Sequence, residues 1–257
     1  MAVNKVRVPV REQDPKVRAT NFEEVCLGYN EEEAVAEANR CLTCPRPFCV
    51  TGCPVGINIP GFIKEVKAGN IEAAAKEIAK YSALPAVCGR VCPQEKQCEG
   101  NCVLGIKGEA VAIGALERYI GDNTNAKIPD ITPSGKKVAI VGSGCAGITA
   151  AFDLRKAGHE VTVFEALHKF GGVLRYGIPP FRLPRKILDR EINNLKNMGV
   201  RFEKNVIVGK SVTLEQLKED GFDAILIGSG AGLPKMLGIK GENLNGVFSG
   251  NEWLTRV

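Results

Sequence analysis

The 257-residue sequence contains no apolar run long enough to cross a membrane and no block of charge of one sign. Its 34 Lys and Arg residues are interspersed with 29 Asp and Glu residues, giving a net charge of +5. This distribution argues against a dedicated nucleic-acid binder and leaves a basic patch for an acidic protein partner as an alternative. The amino terminus also lacks the apolar core of a signal peptide. We therefore expect a cytoplasmic protein that binds neither nucleic acid nor a membrane.

Aromatic residues are scarce at 6%, but 44% of the residues are hydrophobic and 25% are charged. Such a chain is too apolar for intrinsic disorder, and its composition excludes collagen and coiled coils. The sequence also has no internal repeat. Its length is sufficient for one large core or two modest ones.

The ten cysteines are the unusual feature, because eight of them lie between Cys41 and Cys102. The first four have the spacing C-x2-C-x4-C-x3-C-P from Cys41, and the last four have the spacing C-x3-C-x5-C-x3-C from Cys88. In a reducing compartment, clustered cysteines hold metal more often than they form disulfides. Cys26 and Cys145 have no cysteine within a few residues, so we predict that both are buried as small hydrophobic side chains.

The spacing of the first group is typical of cubane iron–sulfur clusters rather than of zinc sites. Zinc usually takes paired C-x2-C units, whereas three close cysteines followed by Cys-Pro hold three corners of one cube and give the last cysteine to another. We therefore predict Cys41, Cys44 and Cys49 in a first cluster and Cys53 in a second. The alternatives are zinc ions that only fold the domain and, in third place, disulfides.

The first half of the chain has a helical pattern. The first twenty residues are basic and contain prolines, and they form either a disordered leader or an arm that lies on another domain or subunit. Helical periodicity begins at Asn30 and recurs up to residues 111–120, and Asn70 is in position to cap one of the helices. The face of the first predicted helix comprises Ala34, Ala38, Cys41 and Leu42.

The second half has an α/β pattern. Residues 121–135 are rich in turn residues and place a domain boundary near Asp130. Beyond it, residues 138–141 and 224–227 are apolar runs typical of buried parallel strands, and residues 160–164 form a further strand. The predicted fold is therefore a small helical domain over residues 1–130, followed by a partial Rossmann-like α/β domain over residues 131–257.

A glycine-rich loop follows the first strand of the α/β half. It comprises Gly142, Ser143, Gly144, Cys145, Ala146 and Gly147. With a strand before it, a helix after it and Glu165 at the end of the next strand, this loop has the fingerprint of a dinucleotide site. The helix N-terminus would bind a pyrophosphate, and Glu165 would accept from a ribose hydroxyl and disfavour the 2′-phosphate of NADP. The residues leave FAD and NAD open, and the alternative is a glycine turn without a ligand.

Three segments together resemble the family of glutamate synthase small chains. They are RCLTCPRPFCVTGCPVGINIPGFI, VCGRVCPQEKQCEGNC and KKVAIVGSGCAGITAAFDL, and the resemblance covers essentially the whole chain. The family includes the amino-terminal part of dihydropyrimidine dehydrogenase and the large subunit of NADH-dependent reduced ferredoxin:NADP oxidoreductase. The segment CPRP at residues 44–47 and the amino-terminal arm are more similar to the oxidoreductase large subunit than to glutamate synthase.

The resemblance implies two [4Fe–4S] clusters and an FAD. One cluster would be held by Cys41, Cys44, Cys49 and Cys102. The other would be held by Cys53, Cys92, Cys98 and the carboxylate of Glu117. Cys88 would then be spare, and its use in place of Glu117 is the alternative. Beyond the glycine loop and Glu165, the FAD would contact Gly172, Val173, Arg182, the backbone of a strand at Val206 and the turn that begins at Gly228.

The resemblance further implies electron transfer. NADPH would reduce FAD, and the clusters would carry single electrons away. Our leading expectation is part of a bifurcating NADPH and ferredoxin oxidoreductase, with ferredoxin, NAD and a second flavoprotein subunit as partners. The alternatives are the small chain of NADPH-dependent glutamate synthase, which passes electrons to a glutamine-cleaving subunit, and a zinc-stabilised nucleotide-binding module without enzymatic activity. Family members extend well beyond 257 residues, so we expect a fragment or one of two chains, with NADPH bound outside this sequence.

Overall fold

The computed structural model describes residues 4–124 and 130–256, which form two compact units. The first unit comprises Met1–Lys127 and Pro180–Ile187, and the second comprises Ile128–Pro179 and Leu188–Val257. The segment Pro180–Ile187, which the sequence pattern assigned to the α/β domain, thus groups with the first unit. Residues 1–3, residues 125–129 of the predicted linker and Val257 lie outside the described residues.

The first unit is mainly helical. Its two short strands, β1 (Arg11–Glu12) and β2 (Cys26–Gly28), pair in antiparallel fashion. Three turns of 3₁₀ helix cover residues 94–96, 99–101 and 103–106. Its α-helices are α1 (Pro15–Arg18), α2 (Glu31–Asn39), α3 (Phe48–Thr51), α4 (Ile59–Lys67), α5 (Ile71–Ile78), α6 (Pro85–Val91) and α7 (Ile113–Asn123).

The ends of α2 explain how the chain enters the first cysteine loop. Asn30 and Glu33 form a capping box at its start. At its end, the amides of Arg40 and Cys41 donate to carbonyls three residues back, which tightens the last turn. The helix therefore stops at Asn39. The prediction that Cys41 and Leu42 share a helix face with Ala34 and Ala38 was wrong, because the helix ends before them and Leu42 is 45% exposed.

Two other local predictions are decided by hydrogen bonds. Asn70 is the N-cap residue of α5, as predicted, but its side chain makes no capping hydrogen bond. Its carbonyl accepts from the amides of Ala73 and Ala74 at 3.0 Å each. The amino-terminal arm lies on its own helical unit, where the Tyr29 hydroxyl donates to the Val8 carbonyl at 2.6 Å and the Val8 amide donates to Glu37 at 2.8 Å. This contact excludes a disordered leader for the described part of the arm.

The core of the first unit is formed by apolar faces of α4, α5 and α7. Phe62, Ile78, Leu116 and Ile120 are completely buried, and half-buried cysteines of both cysteine groups pack against this core. Because the spacing of these residues follows the helical repeat, burial of one face of each helix fixes the arrangement of the loops between them. The core therefore positions the cysteine-bearing segments.

The second unit is built on a parallel four-stranded sheet. Its strands are β3 (Lys137–Val141), β4 (Glu160–Glu165), β5 (Arg201–Lys204) and β6 (Ala224–Ile227), and they lie in the order β5, β4, β3, β6. Its helices are α8 (Cys145–Lys156), α9 (Val173–Tyr176), α10 (Arg185–Asn197), α11 (Leu214–Glu219) and α12 (Gly250–Arg256), and the first three residues of α10 group with the first unit. Thr213 and Gln216 form a capping box at the start of α11.

The burial of the strands differs from the sequence prediction at one edge. Val138, Ala139 and Ile140 of β3 are buried, as predicted. The prediction of a buried strand at β6 was wrong in its burial, because Leu226 and Ile227 are 40% and 63% exposed. Among the described strands, β6 pairs with β3 alone and forms an edge of the sheet. Within the described ranges, no helix combines the length and the apolarity needed to cross a membrane.

Candidate cofactor sites

Four cysteines predicted for one cluster line a single pocket in the helical unit. The pocket is bordered by the cysteine loop after α2, by the 3₁₀ turns near residue 102 and by the apolar side chains of Ile59, Ile63 and Val111. Its cysteines are Cys41, Cys44, Cys49 and Cys102. Thiolate ligands in an apolar pocket suit an iron–sulfur cluster, because the apolar lining limits access of water.

Burial and mutual proximity both act on these thiols. Burial, together with the neighbouring Cys102 and Cys41, raises the pKa of Cys49 to about 11. Burial also raises the pKa of Cys41, with Cys102 and Cys44 adding to the effect. A cationic metal centre would reverse this situation, because coordination stabilises the thiolate form. The donor set therefore fits a positively charged group.

A second group of sulfur and carboxylate groups surrounds Glu117 on α7. Burial raises the pKa of Cys98 to about 12, with further contributions from Glu99, Glu117 and Cys53. Burial also raises the pKa of Glu117 to about 8, and the charge of Cys92 adds to this effect. These mutual electrostatic effects indicate that the residues predicted for the second cluster lie close together in the same unit.

The Glu117 side chain is buried without a partner for one oxygen. The residue is 6% exposed, and its Oε1 atom makes no hydrogen bond. Burial of an unsatisfied carboxylate oxygen is costly, so such an atom in a native fold calls for a proton or a ligand. Coordination of a metal by Glu117 would give its Oε1 atom a partner.

Cys88 lies beside the second group. Its sulfur is 4.0 Å from the Ser82 hydroxyl, and its pKa is raised by a hydrogen bond to Cys92 and by burial. The same hydrogen bond lowers the pKa of Cys92 to about 7. Cys88 is thus a neighbour of a predicted ligand, and its assignment as the spare cysteine remains a prediction.

The close approach of α6 and α7 brings these groups together. A Cβ atom on Gly89 would lie 2.5 Å from the amide nitrogen of Arg118, and one on Gly121 would lie 2.5 Å from the amide nitrogen of Ala86. Arg90 of α6 donates two hydrogen bonds of 2.8 Å to the carboxylate of Asp122 on α7. Glycines and a bidentate ion pair therefore set the distance between the helix of Cys88 and the helix of Glu117.

In residues 4–124 and 130–256, no group of three or more His, Cys, Asp or Glu side chains is close enough to hold a single metal ion. In a cubane cluster each thiolate binds a different iron atom. The choice between a cluster and zinc therefore stays a prediction.

The sequence pattern did not predict the buried charged side chains that support the first cysteine loop. Glu37 and Arg40 are 0% and 2% exposed and pair with each other, directly before Cys41. Glu37 accepts from the amides of Val8 and Ala112 at 2.8 Å each. A signal was available, because Glu37 lies on α2 beside the buried alanine face, where a charged residue needs partners.

The glycine loop of the second unit has the conformation expected of a ligand-binding turn. Gly142 has a φ of +102°, and a Cβ atom on it would lie 2.4 Å from the Gly228 carbonyl oxygen. A Cβ atom on Gly147 would lie 2.0 Å from the Gly142 carbonyl oxygen, whereas one on Gly144 would meet nothing within 4 Å. Two glycines therefore serve packing, and Gly144 leaves the backbone open for a ligand.

The loop is joined to Glu165 and to the Gly171–Gly172 turn. Glu165 ends β4, is 6% exposed and accepts from the Ser143 amide at 3.0 Å and from the Leu167 amide at 2.9 Å. Gly172 has a φ of +50°, and a Cβ atom there would lie 2.9 Å from Gly144 Cα. The structure thus brings Gly142–Gly147, Glu165, Gly172 and Gly228 together at the carboxyl ends of the strands, where α/β sheets bind ligands.

Other predicted flavin contacts are placed differently. Val206 lies beyond the end of β5, and its amide donates to the Glu165 carbonyl at 2.9 Å, so the prediction of a strand at Val206 was wrong. Arg182 is exposed in the segment that groups with the first unit, and Val173 is 61% exposed at the start of α9. Cys145 is exposed as the first residue of α8, so the prediction of a buried Cys145 was wrong. The contacts of Val173 and Arg182 with a cofactor stay predictions.

Known proteins resemble both halves. Residues 18–128 match the family of dihydropyrimidine dehydrogenase domain II, 4Fe-4S cluster, and residues 136–255 match the family of pyridine nucleotide-disulphide oxidoreductases. Over 248 residues, the chain is 37% identical to the glutamate synthase [NADPH] small chain of Escherichia coli, which covers 95% of this chain and 52% of the relative. The chain is similar to glutamate synthase small chains over most of its own length.

Two further relatives agree. The glutamate synthase [NADPH] small chain of Halomonas elongata is 39% identical over 257 residues, which cover 96% of this chain and 54% of the relative. AegA of Escherichia coli, a proposed oxidoreductase, is 39% identical over 239 residues, which cover 91% of this chain and 36% of the relative. The chain thus spans about half the length of the glutamate synthase small chains it matches.

These similarities confirm the resemblance and the predicted fold class. This chain carries an iron–sulfur domain followed by a Rossmann-like domain of the pyridine nucleotide-disulphide oxidoreductase family, which makes it an iron–sulfur flavoprotein of the oxidoreductase class. The relatives support the glutamate synthase alternative better than the bifurcating oxidoreductase that the sequence analysis favoured.

Proposed function

We propose that this chain supplies the iron–sulfur and FAD-binding portion of an NADPH oxidoreductase that delivers electrons to a partner subunit, as in glutamate synthase. One observation carries the proposal: an eight-cysteine helical unit and a glycine-loop α/β unit occur in one chain, in the order found in relatives named glutamate synthase [NADPH] small chain. NADPH and the partner subunit are proposed for the whole protein, because the chain spans about half the length of these relatives.

Two [4Fe–4S] clusters are part of the proposal. The pocket lined by Cys41, Cys44, Cys49 and Cys102 supports the first. The buried, unpartnered oxygen of Glu117 and its electrostatic effects on Cys98 and Cys88 support the second, which would be held by Cys53, Cys92, Cys98 and Glu117. A carboxylate in place of a thiolate would keep the formal charge of that cluster but give one iron atom a harder oxygen ligand, and so separate its reduction potential from that of the first.

In the second unit, the protein contributes binding and orientation. The open backbone at Gly144 and the first amides of α8 would receive a pyrophosphate, because the amino terminus of a helix offers unpaired N–H groups. Glu165 would accept from a ribose hydroxyl. When bound, FAD would take a hydride from NADPH and release electrons one at a time to the clusters.

The fate of the electrons is tested with the protein purified anaerobically together with its native partners. We expect NADPH oxidation that depends on glutamine together with 2-oxoglutarate and yields glutamate, because glutamine hydrolysis supplies only ammonia and the aminated 2-oxo acid takes up the electrons. NADPH oxidation that instead requires ferredoxin and NAD together would contradict the glutamate synthase type of partner and support the bifurcating alternative. If neither set of acceptors supports NADPH oxidation, and the protein is colourless and contains zinc, the proposal as a whole is contradicted.

A further inference from the structure

Ser143, the second residue of the glycine loop, is completely buried. Its hydroxyl donates a hydrogen bond to Glu165 and accepts one of 2.9 Å from the Gly171 amide. Its own amide donates to the same Glu165 oxygen, Oε2, at 3.0 Å. Ser143 therefore connects three segments: the glycine loop, the end of β4 and the turn before α9.

The hydrogen bonds of Glu165 leave it little free capacity. An ionised carboxylate offers about four acceptor positions. Oε2 accepts two hydrogen bonds from Ser143, and Oε1 accepts one from the Leu167 amide at 2.9 Å. The remaining position therefore lies on Oε1, and the orientation in which Ser143 holds the carboxylate determines where that position points.

The second bond of the Ser143 hydroxyl acts on the turn. Gly171 and Gly172 have φ values of +121° and +50°, and Gly172 packs so closely on the loop that a Cβ atom would lie 2.9 Å from Gly144 Cα. Because glycine has no intrinsic preference for this conformation, outside contacts must select it. The hydrogen bond from the Gly171 amide to the Ser143 hydroxyl is such a contact.

We propose that Ser143 is a positioning residue whose hydroxyl orients Glu165 and the Gly171–Gly172 turn for the adenosine half of a dinucleotide. This role differs from the direct cofactor contact expected from the sequence, because a completely buried hydroxyl with both partners satisfied is not available to a ligand. The inference rests on the proposed function, in which this loop binds FAD.

The test compares ligands with and without the adenosine half. In Ser143→Ala we expect ADP and FAD to bind about tenfold more weakly, in line with the loss of a hydrogen bond to a charged group, and FMN to bind as it does to the wild type. The measurement is isothermal titration of the anaerobically purified chain, after removal of its bound flavin, with ADP, FAD and FMN. Ser143→Thr, which keeps the hydroxyl, should recover most of the affinity for ADP.

Two further variants separate positioning from general stability. Ser211→Ala removes an exposed hydroxyl that bonds only within its own turn, at Ile207, and should leave ADP binding unchanged. In a Glu165→Ala background, Ser143→Ala should cost less ADP affinity than it does in the wild type, because one of the two groups that it orients is gone and only the turn remains. Equal losses in both backgrounds, or an equal loss for FMN, would overturn the inference.

The outcome also distinguishes the inference from the proposed function. A wild-type chain that binds ADP and FAD, with a Ser143→Ala variant of unchanged affinity, would overturn the inference and leave the proposed function standing. A wild-type chain that binds neither ADP nor FAD would overturn both.

Discussion

The guanidinium group of Arg40 is buried against the carboxylate of Glu37, one residue before Cys41, the first residue of the first cysteine group. Both side chains are almost completely buried. Arg40 also donates to backbone carbonyls of the amino-terminal arm and of the segment before α7, namely those of Asn4, Lys5, Glu109 and Ala110. One ion pair thus joins the arm, α2 and the start of α7 beside the cysteine pocket.

Replacement of Arg40 by leucine should therefore be strongly destabilising. It leaves the Glu37 carboxylate buried without its counter-charge, and we expect the free energy of unfolding to fall by about 3–5 kcal/mol. Urea denaturation under anaerobic conditions, followed by circular dichroism, measures this change. Arg18→Ala is the matched control, because it breaks the exposed Arg18–Glu12 pair and should cost less than about 1 kcal/mol. Equal effects of the two substitutions would contradict the buried role of Arg40.

The eighth cluster ligand can be assigned with two single substitutions. Glu117→Ala should lower the iron content and change the EPR spectrum of the reduced protein, because Glu117 has a buried oxygen that lacks a protein partner. Cys88→Ala should keep about eight iron atoms per chain, the content of two [4Fe–4S] clusters. Loss of a cluster in Cys88→Ala alone would instead make Cys88 the ligand.

The glycine loop allows its packing role to be separated from its binding role. Gly144→Ala should fold with a melting temperature close to that of the wild type but bind less FAD, because its Cβ meets no protein atom and would project into the open space beside the backbone. Gly147→Ala should lower the melting temperature, since its Cβ would lie 2.0 Å from the Gly142 carbonyl oxygen. Thermal melting and flavin content of the purified variants measure both effects.

The opposite pattern would contradict this division. A Gly144→Ala variant that keeps a full complement of FAD would show that the open backbone is not a pyrophosphate site. A Gly147→Ala variant as stable as the wild type would show that the loop relaxes without cost.

Local signals in the sequence predict much of the fold. The capping box at Thr213, the apolar run of β3 and the glycine loop after it all depend on neighbouring residues, and the structure contains each of them. The exposure of strands at the edge of the sheet, such as β6, depends on tertiary neighbours. Such features have no local signal, which is why the sequence pattern did not predict them.

The candidate sites follow the same division. Cysteine spacing predicts which thiols serve the first pocket once the family resemblance supplies Cys102, and the structure places that residue with the other three. The role of Ser143 required coordinates, because its partners Glu165 and Gly171 are 22 and 28 residues away in the chain. Long-range hydrogen bonds of buried polar groups are therefore the part of the site that the sequence conceals.

The proposed cofactor content of the chain is two [4Fe–4S] clusters and one FAD. The absorbance spectrum of the anaerobically purified protein, together with its iron, sulfide and flavin content, measures it directly. We expect a coloured protein with about eight iron atoms, about eight sulfide ions and about one FAD per chain. A colourless protein that contains zinc and neither iron nor flavin would contradict it.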